Sequence, residues 1–235
     1  MTTTQDPQRR PGELHCEGCS LHSSCMTRTL SQGALEAFDE IIRQPQPLKR
    51  GQALVLQGQP FRSLYLVRTG SFKQVMRQQG RQDEQVVHFF LPSEAVGLEA
   101  IGETHCPASV VALETSFVCE LPFEEFEALA QRHESLRAEL MRSMSRELRG
   151  DQRQFCLLSG RTAEQRLAGF LLGLSQRFHV QLAMSRADIG SHLGLALETV
   201  SRVMGRFQRQ GLVKVSGREL TIHSLEGLEA LGEDP

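Results

Sequence analysis

Three cysteines near the start of the chain have the spacing of a thiolate ligand set. Two residues separate Cys16 from Cys19, and Cys25 follows after five more. Closely spaced cysteines in a reducing compartment favour metal binding or redox chemistry over structural disulfides. Because the same chain ends in a pattern typical of a DNA-binding helix pair, we expect the thiol group to control the DNA reader.

Composition limits the classes of protein that the chain can be. Its 235 residues leave room for two domains, and a net charge of -2 shows no bulk attraction for nucleic acid, so a basic patch must be local. No apolar run of about 18 residues is present, and the polar residues 1–12 lack the apolar core of a signal peptide. We therefore expect a cytoplasmic protein without membrane contact. No Walker loop, His-Glu-x-x-His, Gly-x-Ser-x-Gly or spaced carboxylate pair is found, so we expect no enzyme.

The elements that must position the cysteines begin with a helix capped by Ser31 and running to Ile42. Short runs rich in Val, Leu, Tyr and Phe follow, separated by Gly and Pro turns, and this spacing predicts an all-β sandwich or barrel. The predicted strands cover residues 53–57, 63–68, 72–76, 85–90, 108–114 and 116–121.

From residue 123 to about 158 the pattern is helical, without an interrupting proline. A stripe with steps of three and four residues runs along it, as in the seam of a two-stranded coiled coil. Its members are Met141, Met144, Leu148, Asp151, Phe155 and Leu158. One interpretation packs this stripe on the chain's own β domain. The other makes it a homodimer seam in which two copies of Asp151 face each other, so that the dimer is marginal and open to control.

The C-terminal pattern predicts a winged helix-turn-helix. An amphipathic helix over 161–178 precedes a short helix over 185–193, a turn at Gly194 and a second helix over 196–210. A hairpin wing is expected from strands at 213–215 and 220–222.

The exposed face of the second helix predicts contacts with DNA. Arg202 can donate to guanine, Glu198 can accept from cytosine, and Ser201 can do either. Arg206, Arg209 and Lys214 are better placed for phosphates. Between residues 186 and 218 six basic residues face two acidic ones. A purely structural helical corner is the alternative, which the wing and the Glu/Ser/Arg face oppose.

At this point the sequence resembles a known family. Leu48-Lys49-Arg50-Gly51, Gln57-Gly58 and Leu64-Tyr65-Leu66-Val67 with Gly70 resemble the cyclic-nucleotide-binding β-roll of the cyclic-AMP receptor protein (CRP/FNR) superfamily. The cysteine pattern, the segment 112–122 and the segment 184–202 resemble its fumarate and nitrate reduction (FNR/Anr) branch.

That resemblance implies an α+β fold: a cyclic-nucleotide-binding-like β-roll, a long dimerisation helix and a C-terminal winged helix-turn-helix. It implies an oxygen-labile 4Fe-4S cluster on Cys16, Cys19, Cys25 and Cys119, with Ser20 tuning its reactivity. It also implies a homodimer that forms under anoxia, activates transcription, binds double-stranded DNA at TTGAT-type inverted repeats and contacts RNA polymerase through residues 80–84 and the surface near Thr115.

Four expectations complete this interpretation. The domains are predicted as a cysteine segment over 1–29, a β-roll over 30–122, a dimerisation helix over 123–158 and a reader over 159–235. No cyclic nucleotide is expected, because residues 96–110 lack the Arg-Ser pair and Gly-Glu that would hold its phosphate. Cys106 is a rival fourth ligand, and Cys156 is expected to be a packing residue. Zinc on the same thiols, or a Cys16–Cys19 dithiol switch, are the alternatives to the cluster.

Overall fold

The computed structural model describes residues 15–77, 84–175, 183–217 and 219–232. The predicted polar lead at 1–12, most of the loop at 80–84 and the end of the helix expected over 161–178 lie outside these ranges. Within them, the strands are β1 (Ala53–Val55), β2 (Ser63–Thr69), β3 (Phe72–Arg77), β4 (Glu84–Phe90), β5 (Ala95–Val96), β6 (Ser109–Ala112), β7 (Phe117–Pro122), β8 (Val213–Ser216) and β9 (Glu219–Ile222). The helices are α1 (Gln32–Ile41), α2 (Phe123–Arg132), α3 (Glu134–Leu158), α4 (Ala163–Ser175), α5 (Arg186–Leu193), α6 (Leu197–Arg209) and α7 (Leu225–Gly232).

The β domain consists of two antiparallel sheets that enclose an apolar interior. One sheet has the order β1-β6-β3-β4, and the other has the order β5-β2-β7. Alternating residues from both sheets fill the space between them, among them Val67, Phe72, Phe90 and Val110, each no more than 2% exposed. The six strands expected from the sequence are all present, and the two-residue β5 is an addition to them.

The long helical pattern is wrong in one respect, because it forms two helices rather than one. The chain becomes extended at His133, with φ −121° and ψ 104°, between the end of α2 and the start of α3. The break lets Phe126 of α2 and Leu136 of α3 enter the same core, where both are fully buried. The two helices thus meet in one core at the break.

The C-terminal domain is a winged helix-turn-helix, as expected. Helices α4, α5 and α6 share one apolar core, and β8 pairs with β9 as a hairpin wing. The predicted inward residues of α6 and α4 are buried, including Val200, Phe207, Leu167 and Leu171 at 0% exposure. The terminal helix α7 closes this core with Leu228. No helix in the described ranges is long and apolar enough to cross a bilayer.

Candidate functional site

The segment that carries the first three cysteines is held against α1. Short 3-10 turns form at Cys16–Gly18 and Met26–Thr29. The backbone N–H of Cys16 donates to Asp39 Oδ1 of α1 at 3.0 Å, and His15 Nδ1 lies 3.4 Å from Asp39 Oδ2. Asp39 therefore anchors the start of the cysteine segment, and the sequence offered no signal for this role.

Cys119 lies in β7 opposite Leu66 of β2 and packs on the same core as Cys16 and Cys25. The thiols influence one another: Cys25 and Cys119 raise the pKa of Cys16, and Cys19 and Cys25 raise that of Cys119. Cys19 acts on Cys25 in the same direction. The four predicted ligand residues come from two segments about a hundred residues apart in the chain, and they are near enough for the charge of one to act on another.

Burial is the largest influence on these thiols. It raises the pKa of Cys16 far above its ordinary value, with Asp39 acting in the same direction. Burial also raises the pKa of Cys119 to about 11 and outweighs the hydrogen bonds that lower the pKa of Cys25. Without a metal these three groups are neutral thiols at pH 7, so binding a metal must release their protons.

The other two cysteines lie elsewhere. Cys106 is buried inside the β-roll core with Val96 and Val110, and Glu99 is the charged neighbour that raises its pKa after burial. Cys156 is exposed on α3 in the single chain, so the expectation that it is a packing residue on this helix stays a prediction. Ser20 is exposed in the turn after Cys19.

The donor set fits an iron–sulfur cluster. Four thiols are what saturates a 4Fe-4S cluster. Among the residues that the structure describes, no group of three or more His, Cys, Asp or Glu side chains is arranged to hold a metal ion. A single zinc ion needs four ligands at about 2.0–2.3 Å from one point, whereas a cluster presents a separate iron to each sulfur.

The DNA reader is built from local signals that the sequence carries. Ser185 caps α5: its Oγ accepts the Asp188 N–H at 3.1 Å, and its own N–H donates to Asp188 Oδ2 at 2.9 Å. Gly194 takes the left-handed conformation with φ 62° at the turn between the helices. A Cβ at Gly190 would meet the Leu195 carbonyl at 2.6 Å, so glycine allows the close approach of α5 to the turn.

The predicted base-reading residues lie together on the outer face of α6. Glu198 and Arg202 are exposed and Ser201 is half-buried. Arg209 and Lys214 are also exposed, but Arg206 forms an ion pair with Glu164 of α4. That pair ties the last turn of the recognition helix to α4, which the sequence did not predict.

The seam residues of α3 are not covered by the chain's own β domain. Met141, Leu148 and Phe155 are 57%, 60% and 72% exposed, respectively. Asp151 is exposed as well, while Met144 and Leu158 are half-buried. Large apolar side chains in a regular exposed row mark an interaction surface. The interpretation in which this stripe packs on the β domain is therefore not the one that the structure adopts.

Along the chain, a β-roll is followed by the long helix α3 and then by a helix-turn-helix. Comparisons with known proteins show which class of protein has this order. Residues 45–133 match the family model of a cyclic nucleotide-binding domain, and residues 165–231 match that of a Crp-like helix-turn-helix domain. The chain is thus a helix-turn-helix transcription regulator with a β-roll of the cyclic nucleotide-binding type.

Sequence relatives narrow the class. The chain is 42% identical to the fumarate and nitrate reduction regulatory protein of Escherichia coli K12 over 227 residues, which is 93% of this chain and 90% of that protein. It is 44% identical over 225 residues to the transcriptional activator protein anr of Pseudomonas aeruginosa, covering 92% and 91%. The chain belongs to this FNR/Anr family of transcriptional regulators.

A solved structure agrees with the fold. FixK2 from Bradyrhizobium japonicum is 27% identical, with a TM-score of 0.76 over 83% of this chain and 99% of that one. The expectation that the chain is a regulator and not an enzyme agrees with the names of the matched relatives.

Proposed function

We propose that the chain is an oxygen-sensing regulator that holds a 4Fe-4S cluster on Cys16, Cys19, Cys25 and Cys119. The observation that supports it most is the meeting of these four thiols, since Cys119 comes from β7 and the others from the N-terminal segment. When bound, such a cluster supplies a group that oxygen destroys. In this proposal the cluster alone detects oxygen.

The chain's own residues connect the thiols to the helices. Asp39 fixes the backbone of Cys16, and Cys119 lies three residues before Pro122, where β7 passes into α2. A shift of the cysteine segment against β7 would therefore move α2 and the start of α3, which follow β7 in the chain. Ser20 follows the ligand Cys19 directly in the chain, and in this proposal its hydroxyl tunes how readily the site reacts.

The proposed active form is a homodimer joined along α3. Its seam consists of Met141, Met144, Leu148, Asp151, Phe155 and Leu158. Two copies of Asp151, a side chain that is exposed in the single chain, would lie in a place that loses water on association. Two recognition helices must stand about 34 Å apart to enter successive major grooves, so loss of the dimer removes DNA binding.

In this proposal Glu198, Ser201 and Arg202 read TTGAT-type inverted repeats, while Arg209, Lys214 and Arg206 contact phosphates. To contact DNA, Arg206 must exchange Glu164 for a phosphate oxygen. The dimer activates anaerobic genes in the cytoplasm together with RNA polymerase, and the β-roll acts without a cyclic nucleotide.

The test is made on protein purified without oxygen. Iron and acid-labile sulfide are measured per chain, and DNA binding to a TTGAT-type repeat is compared before and after air. The proposal expects about four of each per chain, a brown colour that bleaches in air, and binding that falls with the bleaching. Colourless protein that contains zinc, or no metal at all, would contradict the cluster and direct attention to the thiols themselves.

A further inference from the structure

Glu139 of α3 is a carboxylate that has lost all contact with water. Its side chain is 0% exposed, and it lies one turn into the helix from the buried Leu136. A buried charge is tolerated only where hydrogen bonds and opposite charges replace its water, because its desolvation costs several kcal/mol. The residues around Glu139 must therefore supply hydrogen bonds and positive charge to its carboxylate.

Both carboxylate oxygens are satisfied. Arg146 Nη2 donates to Glu139 Oε1 at 2.7 Å, and Arg142 Nε donates to Oε2 at 2.8 Å. Thr29 Oγ1 donates to the same Oε2 at 2.7 Å, and Arg142 Nη2 in turn donates to Thr29 Oγ1 at 2.9 Å. Burial alone would raise the pKa of Glu139, but these hydrogen bonds outweigh it and hold the pKa below its usual value.

Thr29 is the partner that comes from outside the helix. It ends the 3-10 turn Met26–Thr29, whose flanking residue is Cys25, and the Arg28 N–H donates to the Cys25 carbonyl at 3.2 Å. Met26 and Thr27 in this turn are 3% and 1% exposed, so the turn itself is packed firmly. A displacement of Cys25 is thus passed to Thr29 through a short and rigid stretch of backbone.

Arg142 and Arg146, which bind Glu139, also lie beside the dimer seam. Arg142 and Arg146 border a surface groove on α3 that the seam residue Met141 also lines, together with Arg28 from the cysteine segment. If Thr29 withdraws, Glu139 loses one hydrogen bond, and Arg142 loses one of the two partners that hold its guanidinium, keeping only Glu139. Both changes occur beside Met141.

We infer that Glu139 is a positioning residue that clamps the Cys25 turn to α3 through Thr29 and so couples the thiol site to the dimer seam. This inference rests on the proposed function and specifies how its signal leaves the cysteines. It assigns to Glu139, Thr29 and Arg142 a role between sensor and seam, without contact to the ligands or to DNA.

The discriminating variants are Thr29→Val, which removes the hydroxyl and keeps the shape, and Thr29→Ser, which keeps the hydroxyl. For each, the dimer dissociation constant is measured by sedimentation with and without iron loading. We expect equal iron and sulfide in both variants, because no ligand is changed. We expect the ratio of loaded to unloaded affinity to fall about tenfold in Thr29→Val, since a hydrogen bond to a charged group is worth at least that much, and to be retained in Thr29→Ser.

A second readout uses the iron-free proteins. The rate of alkylation of Cys25, followed by mass spectrometry of its peptide, should rise several-fold in Thr29→Val and in Glu139→Gln but not in Thr29→Ser. Equal Cys25 rates in Thr29→Val and Thr29→Ser, or an unchanged affinity ratio in Thr29→Val, would overturn the clamp. Wild-type protein without iron would contradict the proposed function alone, and the alkylation rates would still decide whether the clamp exists.

Discussion

Lys73 of β3 and Asp188 of α5 form an ion pair across the boundary between the β-roll and the DNA reader, with Nζ 2.6 Å from Oδ1. The side chains are only 25% and 12% exposed. The same boundary holds a hydrogen bond from the Val86 N–H to Ser191 Oγ at 2.9 Å, and Phe89 of β4 packs against Phe170 of α4. The DNA reader therefore packs directly against the β-roll of the same chain, in addition to its covalent connection through α3.

Removing the lysine should loosen this docking. We predict that Lys73→Met lowers the free energy of unfolding by about 2 kcal/mol, because it leaves the buried Asp188 without its charged partner. Urea unfolding at pH 7 measures the change. The matched control is Arg77→Met. Arg77 is on the same strand as Lys73, and its substitution breaks an exposed ion pair with Glu84 of β4, which should cost well under about 1 kcal/mol. Equal losses in the two variants would show that the Lys73 pair does not contribute through burial.

The two candidate fourth ligands can be separated by a pair of substitutions. Cys119→Ala should reduce iron per chain to near zero and abolish anoxic DNA binding, because only this thiol lies with Cys16 and Cys25. Cys106→Ala should keep both, at a modest stability cost from the small space left in the β-roll core. Iron analysis and circular dichroism of both variants make the measurement. Undiminished anoxic binding by Cys119→Ala would remove it from the ligand set.

The seam aspartate can be tested without the cluster. Asp151→Ala should give a protein that is dimeric and binds DNA in air, because the variant removes the two carboxylates that association would desolvate. Sedimentation and DNA titration under air are the measurements. Gln152→Ala changes an exposed neighbour outside the seam stripe and should stay like the wild type. A monomeric Asp151→Ala protein would show that this carboxylate is not the brake.

Two arginines of α6 should behave differently on DNA. Arg202→Ala should cost about 1–3 kcal/mol and relax the base preference at one position of the half-site, as expected for loss of a guanine contact. Arg209→Ala should weaken binding equally on all sequences and reduce the salt slope by about one. Both side chains are exposed, so neither change should unfold the reader. Binding to a matched set of mutated sites at several salt concentrations distinguishes them, and loss of base preference in Arg209→Ala alone would reverse the assignment.

The structural features that could be predicted from the sequence depend on residues close together in the chain. The start of α5 at Ser185, the Gly194 turn and the helix α6 are each encoded within a few residues, and they appear where expected. The extended residue at His133 was not predictable, because no glycine or proline marks it and the packing of α2 and α3 on the β-roll produces it.

Contacts between distant residues were missed for the same reason. Glu139 with Thr29, and Lys73 with Asp188, join residues more than a hundred positions apart, and no periodicity reports such pairs. The meeting of Cys119 with the N-terminal cysteines was expected only through the family resemblance. Spacing alone left Cys106 as a rival, and burial in a separate core is what distinguishes the two.

Glu147 of α3 should make stability fall as pH rises from about 4.3 to about 8. It borders a cavity of about 530 Å³ between α3 and the β-roll. Burial, and then the carboxylates of Glu99, Asp151 and Glu94, raise its pKa to about 8. The basic residues around the same cavity are Arg28, Arg146, Arg149 and Arg153, with His88 on the β-roll side.

The sign of the effect follows from the two pKa values. The unfolded chain releases this proton near pH 4.3, so the folded state binds more protons between that pH and about 8. The stabilisation from protonated Glu147 is complete below the unfolded value and is lost as pH rises through the folded one. Glu147→Gln, which resembles the protonated carboxyl, should therefore unfold at higher urea than the wild type at pH 8.5 and at nearly the same urea at pH 5. Glu127→Gln on the exposed face of α2 is the control and should shift neither curve. Wild-type and Glu147→Gln midpoints that run parallel from pH 5 to 8.5 would show that this carboxyl is ionised throughout and that the surrounding arginines outweigh its burial.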